Sequence, residues 1–301
     1  MKLLLSGSTG FIGTHLTEAL LKHGHSVHAI IRQNTDTTTC NKKVTLFVFD
    51  GNQSELTSYL EQESFDGVIH LASCFLASHT QDDIHKLIDS NILFATQLLQ
   101  ASVSANIPWF INTGTFWQHY KNKKYSPVNL YAATKQAFEA LAQYYLETSP
   151  ITFVTIKLSD TFGPKDTRPK IFNLLTKLAT TKEPLNMSPG EQYLNINYIS
   201  NVIDGYLLMI KTVSDKKTAK KVRGKSFVVT APKVITLKKL VSLFEKIQGT
   251  KLAINWGGRS YRNREVMIPW NKGATIPGWK AGVSLEEGIR LILNKKKHDK
   301  S

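Results

Sequence analysis

The sequence predicts an α/β fold: a Rossmann-type doubly wound parallel sheet with a smaller C-terminal α/β lobe. Three observations carry this. The chain opens MKLLLSGSTGFIGTHL, an apolar run that enters glycines at 7, 10 and 13 and leaves as an amphipathic segment. β-rich runs then alternate with helical stretches as far as Leu158, the pattern of parallel strands joined by helical crossovers. Past Phe162-Gly-Pro164 the alternation fades into segments punctuated by Pro184, Pro189 and Gly190 and later by Gly, Pro and Trp clusters.

The first element is a strand, because Leu3, Leu4 and Leu5 are followed at once by Ser6 and Gly7. A secretion signal needs an unbroken apolar core of about 7–15 residues, so that reading is excluded. Residues 11–21 carry helical periodicity, which makes the stretch strand, tight turn, helix. In such a turn Gly7 permits the chain reversal and Gly10 lets the backbone approach a pyrophosphate. Gly13 lets the helix pack on the strand, with the helix N-terminus facing the anion. The spacing is G-x-x-G-x-x-G rather than G-x-G-x-x-G, and a plain turn would use the same glycines.

The remaining elements follow in order. Residues 25–31 read as a buried strand ending at Arg32-Gln33-Asn34, and residues 44–49 as another ending at Asp50-Gly51. A helix around 54–63 leads to a strand at 67–72, and a long helix around 82–104 leads through Pro108 to a strand at 109–115. Residues 131–147 form an uninterrupted helical pattern and residues 151–158 another strand. A helix at 170–180 opens the second lobe, while a helix at 201–210 and a strand at 226–230 return to the first. The expected division is 1–165 with 201–230 for the nucleotide-binding domain, and 166–200 with 231–301 for the substrate lobe.

A chain of 301 residues that is 42% hydrophobic has ample material for a packed core. No apolar run approaches the roughly 20 residues that span a bilayer. Cys40 and Cys74 are too few for a disulfide framework, so a reducing, cytoplasmic setting is expected, with no membrane partner. Much of the net charge of +15 is concentrated in two places, residues 211–225, read as a helix end and solvated loop, and residues 294–301, read as a frayed tail. Neither interleaves aromatics as a base-stacking surface does, so no nucleic acid is expected. His15, His23, His25 and His28 lack metal-ligand spacing with a carboxylate, so no metal is expected.

The chemistry-bearing stretch is Tyr131-Ala-Ala-Thr-Lys135, which places a phenol and an ammonium on one helix face. An ammonium beside a phenol favours the phenolate, and the expectation is a Tyr131 pKa lowered towards neutrality. Tyr and Lys at this spacing are also common surface neighbours. The conjunction with the glycine turn and with Thr113-Gly114-Thr115 at a strand end, where a hydroxyl meets a substrate oxygen, is what points to catalysis.

These motifs, in this order, resemble the extended short-chain dehydrogenase/reductase family, in its nucleotide-sugar epimerase/dehydratase/reductase branch. The resemblance runs nearly the whole chain: His70-Leu-Ala72 is similar to the family's fourth-strand motif, Asn91 to its helix asparagine, and Asp160-Thr-Phe-Gly-Pro164 to its loop after the sixth strand. More narrowly, residues 112–120, 157–164, 168–171 and 188–192 resemble the CDP-abequose and CDP-paratose synthase group, which reduces a 4-keto-3,6-dideoxyhexose on CDP with NADPH.

The resemblance implies Thr115 as the catalytic hydroxyl, with Thr113 as its alternative and as a substrate contact. It implies Tyr131 as general acid, and Lys135 as the residue that tunes Tyr131 and holds the nicotinamide ribose. It implies a cofactor cradle of Gly7, Ser8, Thr9, Gly10, Phe11, Ile12 and Gly13, with Asp50 and Gly51 near the adenosine and Leu71, Ala72 and Ser73 after the fourth strand. Members of this fold that prefer NAD carry an acid at the end of the second strand. Here Ile31 and Arg32 stand there, so NADPH is expected, with Arg32 on the 2′-phosphate. Phe116, Asp160, Arg168, Lys170, Arg262 and Arg264 are the implied substrate contacts, with Arg262 the first choice for the diphosphate.

Rival activities are weighed on particular residues. A 4,6-dehydratase of this family follows the catalytic Thr with Asp-Glu, whereas Phe116 and Trp117 follow Thr115. An epimerase-reductase places a Cys there, and residues 116–119 hold none. A 4-epimerase with retained NAD uses the same Tyr and Lys, and Arg32 counts against it. A non-catalytic NADP sensor of this fold dispenses with the Tyr/Lys pair. The expectation is a nucleotide-sugar 4-ketoreductase for surface-polysaccharide sugars, such as O-antigen, on CDP or GDP, forming a homodimer through its long helices.

Overall fold

The computed structural model describes residues 1–38, 40–181 and 183–298, with side chains of the last helix described to residue 294. The first half runs β1 (Lys2–Ser6), α1 (Phe11–Lys22), β2 (Ser26–Arg32), β3 (Thr45–Phe49), α2 (Gln53–Glu63), β4 (Gly67–His70), α3 (Asp83–Ile88), α4 (Phe94–Ser104), β5 (Trp109–Thr115), α5 (Leu130–Thr148) and β6 (Thr152–Leu158). The rest runs β7 (Asp160–Phe162), α6 (Ile171–Leu178), β8 (Leu185–Met187), β9 (Tyr193–Leu194), β10 (Ile196–Tyr198), α7 (Ile199–Ser214), α8 (Lys216–Val222), β11 (Ser226–Val229), β12 (Ile235–Thr236), α9 (Leu237–Gln248), β13 (Ile254–Trp256) and α10 (Leu285–His298).

Seven strands form one parallel sheet in the order β11-β6-β5-β4-β1-β2-β3. The order reverses between β1 and β4, and in an open parallel sheet the crevice beyond the C-terminal strand ends at such a reversal is where ligands bind. The glycine turn after β1, the loop after β4 and Thr115 at the end of β5 all lie at that end.

Both faces of the sheet are covered except at its edge, where the strand expected to be buried over 44–49 leaves Leu46 and Val48 of β3 exposed, because no strand or helix among the described residues lies beyond it on that side. The covered strands read as unbroken apolar runs. Successive side chains point to opposite faces. Leu3 and Leu5 therefore pack with Leu16 and Leu20 of α1 and with Val202 and Tyr206 of α7. Leu4, Val68 and Phe110 pack with Leu56, Leu98 and Phe138 of α2, α4 and α5. The short strand pairs β7/β10, β8/β13 and β9/β12 lie outside the sheet. Among the described residues no helix is long and apolar enough to cross a membrane.

Three further elements differ from expectation. The helix expected over 82–104 is interrupted by a π-helical turn, Asp89–Leu93, between α3 and α4. The strand expected at 67–72 stops at His70, because the chain turns over the first glycine and the Ala72 N–H faces the Ser6 hydroxyl at 3.4 Å. The basic stretch 211–225, expected as a helix end and solvated loop, holds a separate helix, α8. Asp215 caps it by accepting from the N–H groups of Lys217 and Thr218. Of the tail at 294–301, residues 299–301 lie outside the described residues.

Candidate functional site

The turn after β1 is shaped by its glycines. Gly7 has φ +78°, and a Cβ there would lie 2.6 Å from the Ala72 nitrogen, so the loop after β4 closes directly on this turn. A Cβ on Gly13 would overlap the Gly7 carbonyl oxygen, so the first turn of α1 sits tight on the loop. Gly10, by contrast, is exposed and faces only the Gly7 oxygen, at 3.3 Å. It is the N-cap of α1, and no side chain caps that helix end. An open, glycine-lined helix N-terminus with free amides fits a diphosphate. Phe11 and Ile12 are partly buried, Thr9 is exposed, and Ser8 is buried with an unpaired hydroxyl.

Arg32 ends β2, is exposed, and is in no ion pair among the described residues. Its N–H donates to the Thr35 hydroxyl at 3.0 Å, which fixes the turn that follows. Asp50 turns its carboxylate onto its own loop, accepting from the Asn52 N–H at 2.8 Å, and Gly51 there has φ +107°.

Tyr131 and Lys135 lie in the first two turns of α5, capped by the Asn129 side chain, which accepts from the Ala132 N–H at 3.0 Å. The Ser73 and Thr115 hydroxyls face the Tyr131 hydroxyl closely enough to act on its ionisation. Its pKa differs from the sequence expectation. Burial pushes it up to about 12, opposed by those hydroxyls and by the Arg168 charge and assisted by Asp160. Lys135 is not among the groups that pull it down, so the phenol is a neutral proton donor at pH 7. Lys135 is itself 1% exposed, and burial lowers its pKa to about 8 against the Glu139 carboxylate. Its Nζ has no hydrogen-bond partner. A buried ammonium with three idle donors fits the hydroxyls of a nicotinamide ribose laid along this helix.

The two threonines of β5 are separated by their partners. Thr113 shares a hydrogen bond of 2.6 Å with Tyr206 of α7, whereas Thr115 is the one that meets Tyr131. Thr115 also accepts from the Trp117 N–H at 3.3 Å, capping the 3-10 turn Phe116–Gln118. Phe116 is buried edge-to-face against the partly buried Trp270.

Residues 3–224 match the NAD dependent epimerase/dehydratase family. The chain belongs to that family. The CDP-abequose synthase of Salmonella muenchen is 27% identical over 98% of each chain, and that of Yersinia pseudotuberculosis 29% identical over 89% of this chain and 92% of the other. Among solved structures, the UDP-glucose 4-epimerase of Thermotoga maritima superposes with TM-score 0.86 at 18% identity, covering 100% of both chains. The UDP-glucuronic acid 4-epimerase of Bacillus cereus, in complex with UDP-glucuronic acid and NAD, gives 0.84 at 24%, covering 99% of both. Those two likenesses establish the fold.

Around this family core, the substrate candidates are held as follows. Lys170 pairs with Asp160 at 3.5 Å and lies 4.4 Å from the centre of the Phe75 ring, so it stands near Tyr131. Arg168 forks onto Asp166 at 2.7 and 2.8 Å and lies 4.4 Å from the centre of the Phe11 ring, at the start of α1. Arg264 stacks over Tyr120 and donates to Ser126 at 2.9 Å. Arg262 is exposed, and its N–H donates to Glu265 at 3.2 Å.

Sequence reasoning passed over Phe75, which is 42% exposed and packs edge-to-face on Tyr131 at 5.0 Å and against Trp117 at 5.6 Å. An exposed aromatic two residues beyond Ser73 was its available signal. The His119 imidazole, just past the Phe116–Gln118 turn, is buried, stacked on Trp270 at 3.8 Å and 2.9 Å from Lys157 Nζ.

Proposed function

We propose that this protein is a cytosolic, NADPH-dependent reductase of the C4 ketone of a nucleotide-linked deoxysugar. The observation that carries the reading is the Tyr131 phenol, kept protonated by burial and faced by the Ser73 and Thr115 hydroxyls, one helical turn before the unpartnered Lys135 ammonium. A ketone oxygen placed among these groups would accept from Thr115 and take its proton from Tyr131 as charge develops on it. Phe116 and Trp117 offer no acid for elimination, which disfavours a dehydratase.

Gly7–Gly13 and the α1 N-terminus would hold the cofactor diphosphate, Asp50 and Gly51 the adenosine, and Leu71, Ala72 and Ser73 the nicotinamide side. Lys135 would donate to the ribose hydroxyls, and Arg32 to the 2′-phosphate. The bound cofactor supplies the hydride. The lobe expected over residues 166–200 and 231–301 would take the nucleotide sugar. Arg262 and Arg264 are its diphosphate candidates, and Asp160, Arg168 and Lys170 lie nearer the sugar. CDP as the nucleotide rests on the abequose synthases' likeness, and GDP is the alternative.

A second reading, 4-epimerisation with a retained NAD, has support from the UDP-glucuronate 4-epimerase of Thermodesulfobacterium geofontis, 23% identical over 97% of this chain. One assay separates the two: NADPH absorbance with 4-keto deoxysugars on CDP, GDP, dTDP and UDP, with NADH as control. Stoichiometric NADPH oxidation with one nucleotide supports ketoreduction. No oxidation, together with NAD retained through purification, supports epimerisation.

A further inference from the structure

A buried polar cluster that the proposed chemistry does not use is wired into Thr115. Gln118 is fully buried; its Oε1 accepts from the Thr115 N–H at 2.9 Å, and its Nε2 donates to Glu139 at 2.8 Å and to Gln136 at 2.9 Å. The other Glu139 oxygen lies 3.1 Å from Lys157 Nζ, with side-chain exposures of 12% and 5%. Lys157 also donates to His119 Nε2 at 2.9 Å, which leaves the ring proton on Nδ1, 3.2 Å from the Lys123 carbonyl. The Trp270 indole, carried by the segment after β13, covers both His119 and Lys157.

Folding alone gives little reason for such a pair, since apolar side chains of the same volume stabilise about as well as a buried ion pair. Its placement gives a better one. Glu139 lies one helical turn after Lys135, and it grips the side chain that holds the Thr115 backbone.

We infer that Glu139, held by Lys157, is a positioning residue of the active site: through Gln118 it sets Thr115 against the Tyr131 hydroxyl, and through its charge it supports the Lys135 ammonium. This rests on the roles proposed above for Thr115 and Lys135. Among the described residues, the titratable groups that couple to Lys135 are Glu139 on α5 and His70 on β4. His70 is buried and held neutral, its pKa well below the usual histidine range, so among the described residues Glu139 is the one anion supporting Lys135.

The test compares wild type with Glu139→Gln, Lys157→Arg and the double variant Glu139→Gln/Lys157→Met, which removes both charges and leaves neither unpaired. The first readout is the dissociation constant for NADPH or NADH, whichever binds more tightly, measured by cofactor fluorescence across pH 6–10. Removing the carboxylate lowers the Lys135 pKa, so affinity is lost at lower pH. The midpoint should fall by about one unit in both Glu139 variants and hold in Lys157→Arg. The second readout is turnover: kcat should fall about 10- to 100-fold, as for a misplaced catalytic group, with little change in the ketone KM.

A folded Glu139 variant with wild-type midpoint and wild-type kcat overturns the inference. If Glu139→Gln does not fold, the double variant decides by the same two readouts. A wild type that reduces no ketone sinks the ketoreductase reading, and the pH dependence of cofactor affinity then decides this one alone.

Discussion

The buried amide of Asn91 donates to the Thr134 hydroxyl at 2.9 Å, and Thr134 in turn donates to the Tyr131 carbonyl at 2.8 Å. The same amide spans the loop after β4: its oxygen accepts from the Cys74 N–H at 2.8 Å and the Ser73 hydroxyl at 3.0 Å, and its nitrogen donates to the Cys74 carbonyl at 3.0 Å. One side chain therefore ties the loop carrying Ser73 to the helix turn carrying Tyr131. The π-helical turn Asp89–Leu93 contains Asn91 and interrupts the long helix where that amide reaches inwards.

Asn91→Ala removes this tie and leaves the Cys74 backbone groups without the partner they have now. The loss should be about 2 kcal/mol or more, from buried hydrogen bonds left unmade. Urea denaturation reads the stability, and kcat should fall beyond what stability explains, because Ser73 and Tyr131 lose their common anchor. Wild-type stability would show that the amide network carries no weight.

Tyr131→Phe keeps the ring against Phe75 and removes the proton donor. Turnover should fall about 10²- to 10⁴-fold, the range for loss of a positioned general acid. Cofactor affinity should stay near wild type, because the glycine turn is untouched. Parallel measurement of kcat and of the cofactor dissociation constant checks both, and full activity in this variant would end the mechanism.

Much of the sheet was legible because strands buried on both faces are apolar throughout and the glycine turn marks where the first ends. The Tyr131/Lys135 pair was legible because helical spacing puts the two side chains on one face. Illegible features were those set by contacts distant in sequence. The Thr113 and Thr115 hydroxyls look equivalent until Tyr206, 93 residues on, claims the first. Spacing also suggested that Lys135 lowers the Tyr131 pKa, whereas burial dominates and moves it the other way. Likewise the Glu139–Lys157 pair joins a helix to a strand, and no local pattern announces it.

The Lys135 ammonium has a pKa lowered to about 8 by burial. If it donates to the cofactor ribose, binding favours its protonated form, so affinity is full below pH 8 and is lost as pH rises through that value. Titrating the dissociation constant from pH 6 to 10 gives the check. A flat profile would place the ribose away from Lys135.

Arg32→Ala tests cofactor choice. A charged hydrogen bond to the 2′-phosphate is worth about 1.5–3 kcal/mol, so NADPH affinity should drop roughly 10- to 150-fold. NADH has no 2′-phosphate, and its affinity should hardly change. Equal losses for both cofactors would mean that Arg32 does not read the phosphate.

The long helices leave apolar side chains in water. Ile84 and Ile88 of α3 are 44% and 39% exposed, and Leu141 and Tyr144 of α5 are 43% and 62% exposed. Helix α5 packs beside both α3 and α4, which sets these side chains on neighbouring helices. Exposed apolar groups on neighbouring helices suit an association surface, and a second copy meeting it about a two-fold axis would build the homodimer expected from the sequence. Leu141→Glu puts a charge into that contact without touching the site. Light scattering after size exclusion should give a dimer for wild type and a monomer for the variant. A monomeric wild type would overturn the expected homodimer and leave the chemistry at Tyr131 unaffected.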